Sequence, residues 1–249
     1  MLISAVDTAQ TPTTNDDDSR SGAVSQTCTT IAAHVVAGRW PGGYTLIEAD
    51  LVQQLHVSRS TVREALRRLE SEGLIVRRRS RNLVVRRLTR RDVDELYDLR
   101  EALEGHAARK AARSFASQPA AAHIHFKATA QWWLEASRRG NGEAMSQANG
   151  EFHAEVMALA GNRHLPRLLG GTLMTLFVSQ FRPRLSAESG LVAASHHVEI
   201  ATAIIAADEV AAESLMRDHI RCSAELIQAL PDDAFEQSPD ISAGAGIRP

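Results

Sequence analysis

Three histidines and one asparagine are spaced so that their side chains can meet at one point. His197 and His219 each lie eleven residues from Asp208, the predicted turn between two helices, so an antiparallel hairpin places them at about the same height. Asn149 and His153 lie four residues apart and share one face of a third helix. Three neutral imidazoles and an amide oxygen are a ligand set for a divalent metal. Taken singly, each histidine is better explained as a core or surface residue.

Arg100 is a charged residue within an otherwise apolar helical stripe. The stripe consists of Val93, Leu96, Leu103 and Ala107. A guanidinium that faces the protein interior needs an anion, because burying an unpaired charge costs several kcal/mol. The anion is either a protein carboxylate such as Glu104 or a bound acid. Because a planar guanidinium suits a carboxylate ligand, Arg100 is a candidate for binding a small organic acid.

These residues must be positioned by a helical domain. The pattern from residue 89 to 229 is helical almost throughout, and it predicts about six helices. The predicted breaks are Pro119, Asn141-Gly142, Gly161-Asn162 and Ala207-Asp208. Short connections favour an antiparallel bundle, so residues 89–230 are predicted to form an all-α domain. The segment 231–249 is predicted to be a flexible tail.

Residues 58–69 predict a short helix that carries a row of arginines. Its apolar stripe consists of Val62, Ala65, Leu66 and Leu69. Arg59, Arg63 and Arg67 repeat every fourth residue on the opposite side. Ser58 has the residue type and position of an N-cap. Three cations on one exposed ridge suit phosphates and guanine edges.

Two earlier helices and a hairpin complete this region. The first helix ends at Gly38, and Thr45 and Glu48 have capping-box spacing for the second helix. After Gly73, residues 74–76 and 83–85 predict two short strands that form a wing. The spacing is that of a winged helix-turn-helix, and residues 25–88 are predicted to form this domain. The predicted fold class is therefore mainly α.

Positive charge is concentrated in the same region. Residues 59–91 contain twelve arginines and three glutamates, a net charge of +9, whereas the whole chain of 249 residues carries −2. Such segregation is typical of a nucleic-acid-binding module joined to a domain of another kind. A solvated basic face is the alternative explanation of the charge, and the helix-turn-helix spacing argues against it.

The rest of the composition limits the class of protein. Residues 1–24 have no apolar period and are predicted to be a disordered arm. The chain shows neither a secretory signal nor a run of transmembrane length, so no membrane partner is expected. Cys28 and Cys222 are the only cysteines, which favours a reducing cytoplasm without a disulfide framework and leaves one bridge between them open.

The amino-terminal region resembles the winged-helix domain of GntR-family transcription regulators. The resemblance is carried by Pro41-Gly42, Leu46-x-Glu48, Leu51, Val57-Ser58-Arg59-x-x-Val62-Arg63-Glu64-Ala65-Leu66, Arg68-Leu69 and Glu72-Gly73-Leu74. It implies that the third helix enters the major groove of an operator and that the wing reaches the minor groove. The DNA-binding candidates are Ser58, Arg59, Ser60, Thr61, Arg63, Arg67, Arg79 and Arg81. The wing tip has Arg81-Asn82 where family members usually have glycine, which weakens the expectation for the minor groove.

The carboxyl-terminal region is similar to the FCD effector domain of the FadR subfamily. The matching motifs are Leu96-Tyr97-x-x-Arg100-x-x-Leu103-Glu104, Asn149-x-x-Phe152-His153, Gly161-Asn162-x-x-Leu165, His197-x-x-Ile200-x-x-Ala203-Ile204, Asp208 and His219. In members that bind a metal, often zinc or nickel, an aspartate and three histidines hold it and a small organic acid completes the coordination. The resemblance makes Asn149, His153, His197 and His219 the metal ligands. Asn149 replaces the aspartate, so the acid must neutralise more of the metal charge.

Together these features predict a DNA-binding transcription regulator, with repression as the commoner behaviour of the family. Two subunits of a homodimer would bind a palindromic double-stranded operator, and the acid would change the angle between them. A metal-dependent hydrolase is the first alternative, but helical phase turns Glu151 and Glu155 away from His153 and leaves no obvious general base. An architectural DNA-binding protein without an effector is the second.

Overall fold

The computed structural model describes residues 14–78, 82–139 and 142–237. The chain divides into two compact units, Met1–Val85 and Arg86–Pro249. Among the described helices, none has the length and apolar character needed to cross a membrane.

In its described residues, the first unit combines three helices with a small antiparallel sheet. Its elements are α1 (Thr14–Val36), β1 (Thr45–Leu46), α2 (Glu48–Leu55), α3 (Arg59–Ser71), β2 (Ile75–Arg77) and β3 (Leu83–Val85). The strand order is β1-β3-β2, with Leu46 opposite Leu83 and Ile75 opposite Val85. α1 packs against α3, so the apolar side of α3 closes the core of this unit. The predicted winged helix-turn-helix is confirmed.

The start of α3 follows the predicted local chemistry. The Ser58 hydroxyl accepts a hydrogen bond from the Thr61 N–H at 3.1 Å, as an N-cap does. The four residues of the predicted apolar stripe are each no more than 2% exposed: Val62, Ala65, Leu66 and Leu69. After the helix, Gly73 has φ +79°, a left-handed conformation that glycine adopts without steric cost.

Two expectations for the first unit are wrong. Thr45 does not cap α2, because it lies in β1 and pairs with Val84 of β3. The N-cap residue of α2 is Ile47, whose side chain makes no capping hydrogen bond. Residues 14–24, expected to be disordered, form the first half of α1. The buried side of this helix is Val24, Thr27, Cys28, Ile31 and Val35. Its helical spacing becomes visible only when the threonine and the cysteine are counted as apolar.

The second unit is a bundle of seven helices among the described residues, where about six were predicted. They are α4 (Arg90–Phe115), α5 (Ala120–Arg138), α6 (Gly142–Leu159), α7 (Leu165–Leu169), α8 (Thr172–Phe181), α9 (Ala187–Ile205) and α10 (Glu209–Gln228). α4 is the central helix and packs against α10, α6 and α9. It begins with a capping box formed by Thr89 and Asp92. Asp208 caps α10 after Ala207, which adopts a left-handed conformation, so the predicted turn between α9 and α10 is confirmed.

The segment after α10 is packed rather than free as far as Phe235. A short 3-10 turn, Asp232–Ala234, leads to Phe235, which is 2% exposed. The Phe235 ring lies 5.1 Å from that of Phe181, and the Arg90 guanidinium lies over it at 4.1 Å. The expectation of a flexible tail from residue 231 is therefore wrong for this stretch, because an aromatic side chain anchors it. Residues 238–249 lie outside the described part of the chain.

The chain enters the second unit through backbone contacts with α8. The Gln180 amide donates from Nε2 to the Arg86 carbonyl at 2.6 Å and accepts at Oε1 from the Leu88 N–H at 3.0 Å. The Glu236 N–H donates to the Leu88 carbonyl at 2.9 Å. Residues 86–88 are thus held by α8 on one side and by the carboxyl-terminal segment on the other.

Candidate functional site

The first candidate site is the exposed side of α3. Ser58, Arg59, Ser60, Arg63 and Arg67 are all solvent-exposed, as a surface that meets DNA requires. Thr61 differs, because it is 7% exposed and its hydroxyl lies 2.8 Å from that of Ser58. Thr61 therefore supports the cap.

Several arginines of this surface are held by neighbouring carboxylates. The pairs are Arg63 with Glu48 at 2.8 Å, Arg67 with Glu64 at 3.5 Å, Arg68 with Glu72 at 2.9 Å and Arg77 with Glu70 at 3.1 Å. Exposed ion pairs are worth only about 0–1 kcal/mol, so phosphates can compete for these guanidiniums. Arg59 has no carboxylate partner among the described residues. The arginines on the exposed side of α3 therefore remain available to DNA, although most of them pair with carboxylates of the protein.

The wing is described only in part. β2 and β3 are joined by the Arg78 N–H, which donates to the Asn82 carbonyl at 2.9 Å. Arg79 and Arg81, predicted to contact DNA, lie outside the described residues. A surface cavity of about 250 Å³ lies beside α3, and its lining includes Glu48, Arg63, Arg67, Glu70 and Arg77.

The second candidate site lies inside the helical bundle. α6, α9 and α10 bring His153, His197 and His219 together, which are 7%, 0% and 2% exposed. The Nε2 atoms of His197 and His219 lie 3.0 Å apart, and those of His219 and His153 lie 3.3 Å apart. The equal spacing of His197 and His219 from Asp208 therefore does place them side by side.

The spacing of these nitrogens fits one metal ion. Ligand nitrogens lie about 2.0–2.1 Å from zinc, so two of them on one ion are about 2.9–3.4 Å apart for angles between octahedral and tetrahedral. Burial is the main cause that holds the pKa of His197 well below its usual range, and the nearby His219 and His153 lower this pKa further. Burial also lowers the pKa of His219. Both imidazoles are therefore neutral and have a lone pair for a metal.

A buried carboxylate orients the third histidine. Glu104 accepts a hydrogen bond from Arg100 Nε at 2.7 Å, and its other oxygen faces His153 Nδ1. Burial alone would raise the pKa of Glu104, but Arg100 and His153 outweigh it and hold that pKa below its usual range. A carboxylate on Nδ1 leaves Nε2 of His153 directed at the cluster. Of the two anions considered for Arg100, the structure contains the protein carboxylate.

Arg182 is a residue of this site that the sequence pattern did not reveal. Burial and the positive charge of Arg100 lower its pKa to about 10, and it also contributes to the lowered pKa of His197. The positive charges of Arg182 and Arg100 therefore help to lower the pKa values of His197 and His219, respectively. Arg182 lies in a 3-10 turn, Arg182–Arg184, so no helical period pointed to it.

Three other polar residues of α6 lie close to His153 in the sequence: Asn149, Glu151 and Glu155. Asn149 lies one turn before His153 on α6 and is half-buried. Glu151 is exposed, and Glu155 lies 3.6 Å from the exposed His125. Within the described residues, neither carboxylate forms an ion pair with one of the three histidines.

Comparison with known proteins adds independent evidence. Residues 24–85 match the family described as "Bacterial regulatory proteins, gntR family", and residues 95–221, about half of the chain, match the FCD domain. No curated protein gave a significant match.

Solved structures of similar fold include McbR/YncC from E. coli, with 17% identity, a TM-score of 0.69 and coverage of 83% of this chain and 97% of that one. A transcriptional regulator GntR from Rhodococcus sp. RHA1 has 20% identity, a TM-score of 0.70 and coverage of 84% and 100%. Lar, which controls expression of the Listeria monocytogenes agr system, has 16% identity, a TM-score of 0.56 and coverage of 84% and 97%. At these identities the likeness concerns the fold.

Proposed function

The chain belongs to the GntR family of DNA-binding transcription regulators and carries an FCD domain, and from this premise we propose that it is a repressor released from its operator by a small organic acid. It is accordingly a regulator and not an enzyme. We further propose that a divalent metal in the bundle holds the acid and that the active form is a homodimer on a palindromic operator, as in the FadR subfamily.

One observation carries the sensor part of this proposal. Three imidazole Nε2 atoms converge within a buried cluster, and a carboxylate that is itself held by Arg100 orients one of them. A purely structural core has no need of three facing imidazoles, because each buried polar nitrogen must be hydrogen-bonded or lose free energy. A metal satisfies all three nitrogens at once.

The donor set suits zinc or nickel. His153, His197 and His219 would hold the ion, and the Asn149 amide oxygen would be a weaker fourth ligand. The metal would supply a fixed positive charge that an acid can coordinate. Because all four protein ligands are neutral, the acid contributes the negative charge. The positive charge of Arg182 also favours an anion, whereas that of Arg100 is balanced by Glu104.

Repression requires the acid to discriminate between two arrangements of the protein. The acid weakens operator binding only by the difference between its affinities for the free and the DNA-bound protein, typically about 1–3 kcal/mol. Two α3 helices in a dimer would occupy half-sites about one helical turn of DNA apart.

The test begins with selection of an operator from a random duplex library by the purified protein. Elemental analysis then measures bound zinc and nickel in the wild type and in His153→Ala, and fluorescence anisotropy measures operator affinity with and without acids. The expected result is one metal per chain, lost in His153→Ala, and operator affinity that falls about 5- to 150-fold with an effective acid. His125→Ala, an exposed histidine on α5, is the control. Wild-type protein that binds no metal and an operator affinity that no acid changes would refute the sensor.

A further inference from the structure

Trp133 on α5 is one of two aromatic residues that lie against His197 of the histidine cluster. It is 2% exposed and packs against Ala148 and Ala194. Its ring stacks on the His197 imidazole with centroids 3.9 Å apart. The Phe152 ring also stacks on His197, and these two centroids are 3.9 Å apart as well. His197 is thus held between two aromatic rings, and Nε2 of this imidazole is one of the three that meet in the cluster, 3.0 Å from Nε2 of His219.

The indole N–H of Trp133 has no acceptor within the described part of the chain. Trp133 Nε1 is buried and makes no hydrogen bond there. The indole nitrogen can only donate, and a buried donor without an acceptor costs about 1–3 kcal/mol. Phenylalanine would stack on His197 without that cost. A tryptophan here is explained if its N–H meets an acceptor other than the described residues, such as a bound ligand.

A carboxylate at the histidine cluster has such an acceptor. When one oxygen of a carboxylate binds the metal, the second oxygen keeps lone pairs for a donor beside the site. We propose that Trp133 donates a hydrogen bond from Nε1 to a carboxylate oxygen of the bound acid and thereby selects carboxylates over ligands with one donor atom. This role rests on the proposed function, because it requires an acid at the histidines.

The direct test follows the indole proton itself. The full-length protein is labelled with ¹⁵N at its three tryptophan indoles, loaded with zinc and titrated with acetate, the simplest carboxylate. Trp133→Phe identifies the resonance of Trp133 by its loss. The expected result is a downfield shift of this resonance with acetate and none with chloride at equal ionic strength.

Binding measurements separate the indole N–H from the ring. Trp133→Phe keeps the stack on His197, so zinc affinity measured by equilibrium dialysis stays at the wild-type value. Acetate affinity, measured by the rise in melting temperature of the zinc-loaded protein, falls about tenfold, as expected for one hydrogen bond to a charged group. Trp132→Phe, a change of the neighbouring and 39% exposed tryptophan, is the matched control and retains acetate affinity.

The outcomes distinguish this role from the proposed function. If acetate binds Trp133→Phe as tightly as the wild type, or binds the wild type without moving the Trp133 signal, the role of Trp133 is wrong and the metal-dependent sensor stands. If zinc-loaded wild type does not bind acetate at all, both are wrong for carboxylates.

Discussion

At the scale of single residues, Glu104 links the charge of Arg100 to the orientation of His153. Its two oxygens contact these two side chains, and all three residues are buried. A carboxylate behind a metal-binding imidazole typically accounts for 10- to 100-fold in metal affinity, so about that factor is expected to depend on Glu104.

Glu104→Gln tests this link. The amide keeps the shape but removes the negative charge, so we expect 10- to 100-fold weaker zinc binding in equilibrium dialysis, by the typical effect of such partners. Leaving Arg100 buried without a counter-charge should also cost about 3–5 kcal/mol of unfolding free energy in urea. Glu101→Gln is the control, since Glu101 lies on the same helix and its partner is Arg217, 3.8 Å away. Unchanged zinc affinity in Glu104→Gln would show that His153 needs no carboxylate.

The arginines of α3 differ in how they are held. Glu48 contacts Nε of Arg63 and leaves both terminal nitrogens of the guanidinium for a base edge, whereas Arg59 has no carboxylate partner in the residues described. A guanidinium restrained in this way loses less conformational freedom when it binds guanine.

Arg59→Ala and Arg63→Ala should each weaken operator binding by about 1–3 kcal/mol and relax the base preference, if each contacts a base edge. Gel shifts with the selected operator and with single-base variants measure both effects. Arg91→Ala is the control, because this exposed arginine pairs with Glu95 on α4 in the other unit. If both α3 variants bound the operator with wild-type affinity, α3 would not be the helix that reads the major groove.

At the scale of elements, the packing of α4 against α10 depends on a close approach at Gly105. A Cβ atom at this position would lie 2.8 Å from Cγ and 3.1 Å from Nε of Arg217. Arg217 in turn pairs with Glu213 on its own helix and with Glu101 on α4. The glycine therefore makes room for an arginine that joins the two helices.

Gly105→Ala is expected to destabilise the protein although alanine favours helix. Overpacking costs about 1–3 kcal/mol, against a gain of about 1 kcal/mol in helix propensity. Urea unfolding should show a net loss of up to about 2 kcal/mol, and the double variant Gly105→Ala, Arg217→Ala should recover part of it by relieving the contact. A single variant more stable than the wild type would contradict this packing.

The amino-terminal end of α10 carries a pH-dependent contact with α4. Hydrogen bonds from Arg113 lower the pKa of Glu209; a smaller burial effect opposes them, and Arg109 adds to the lowering. Because the folded pKa is depressed, the contribution of Glu209 to stability is present above its unfolded pKa of about 4.3 and is lost as the pH falls through the folded value.

Glu209→Gln should therefore be less stable than the wild type at pH 7, and the difference should shrink as the pH falls below about 4. Urea unfolding at a series of pH values between 7 and 3 measures this. Glu95→Gln, whose partner Arg91 lies on the same helix, controls for loss of an exposed carboxylate. A difference that stays constant with pH would exclude the ion pair as its cause.

The elements also show what sequence alone could predict. The cap at Ser58, the apolar stripe of α3 and the pairing of His197 with His219 follow from local period or from symmetry about a turn, and all were predicted. Arg182 and Trp133 were not, because their places beside the histidines depend on how separate helices pack. No periodic signal along the chain records such contacts.

At the scale of the whole molecule, the carboxyl-terminal segment is part of the folded bundle. Phe235 lies against Phe181, and Arg87 donates to the carbonyls of Asp233 and Phe235. These contacts join parts of the chain separated by about fifty residues or more. Their loss should therefore lower the stability of the whole second unit.

Phe235→Ala should lower the free energy of unfolding by about 3–5 kcal/mol, the usual cost of emptying a buried aromatic position. Truncation after Leu230, which removes the same anchor, should have at least the same effect. Thermal and urea unfolding of both variants check this. Wild-type stability after removal of Pro231–Gln237 would mean that the segment contributes nothing.

The contacts that Gln180 makes with residues 86–88 involve only the backbone of that stretch. Amides and carbonyls are the same in every residue except proline, so side chains at Arg86 and Leu88 can change without breaking these two hydrogen bonds. A different helix-turn-helix unit could therefore be joined at this point, because the Gln180 side chain of α8 would make the same two hydrogen bonds with the new backbone. Such a chimeric regulator could keep its ligand response while binding a new operator.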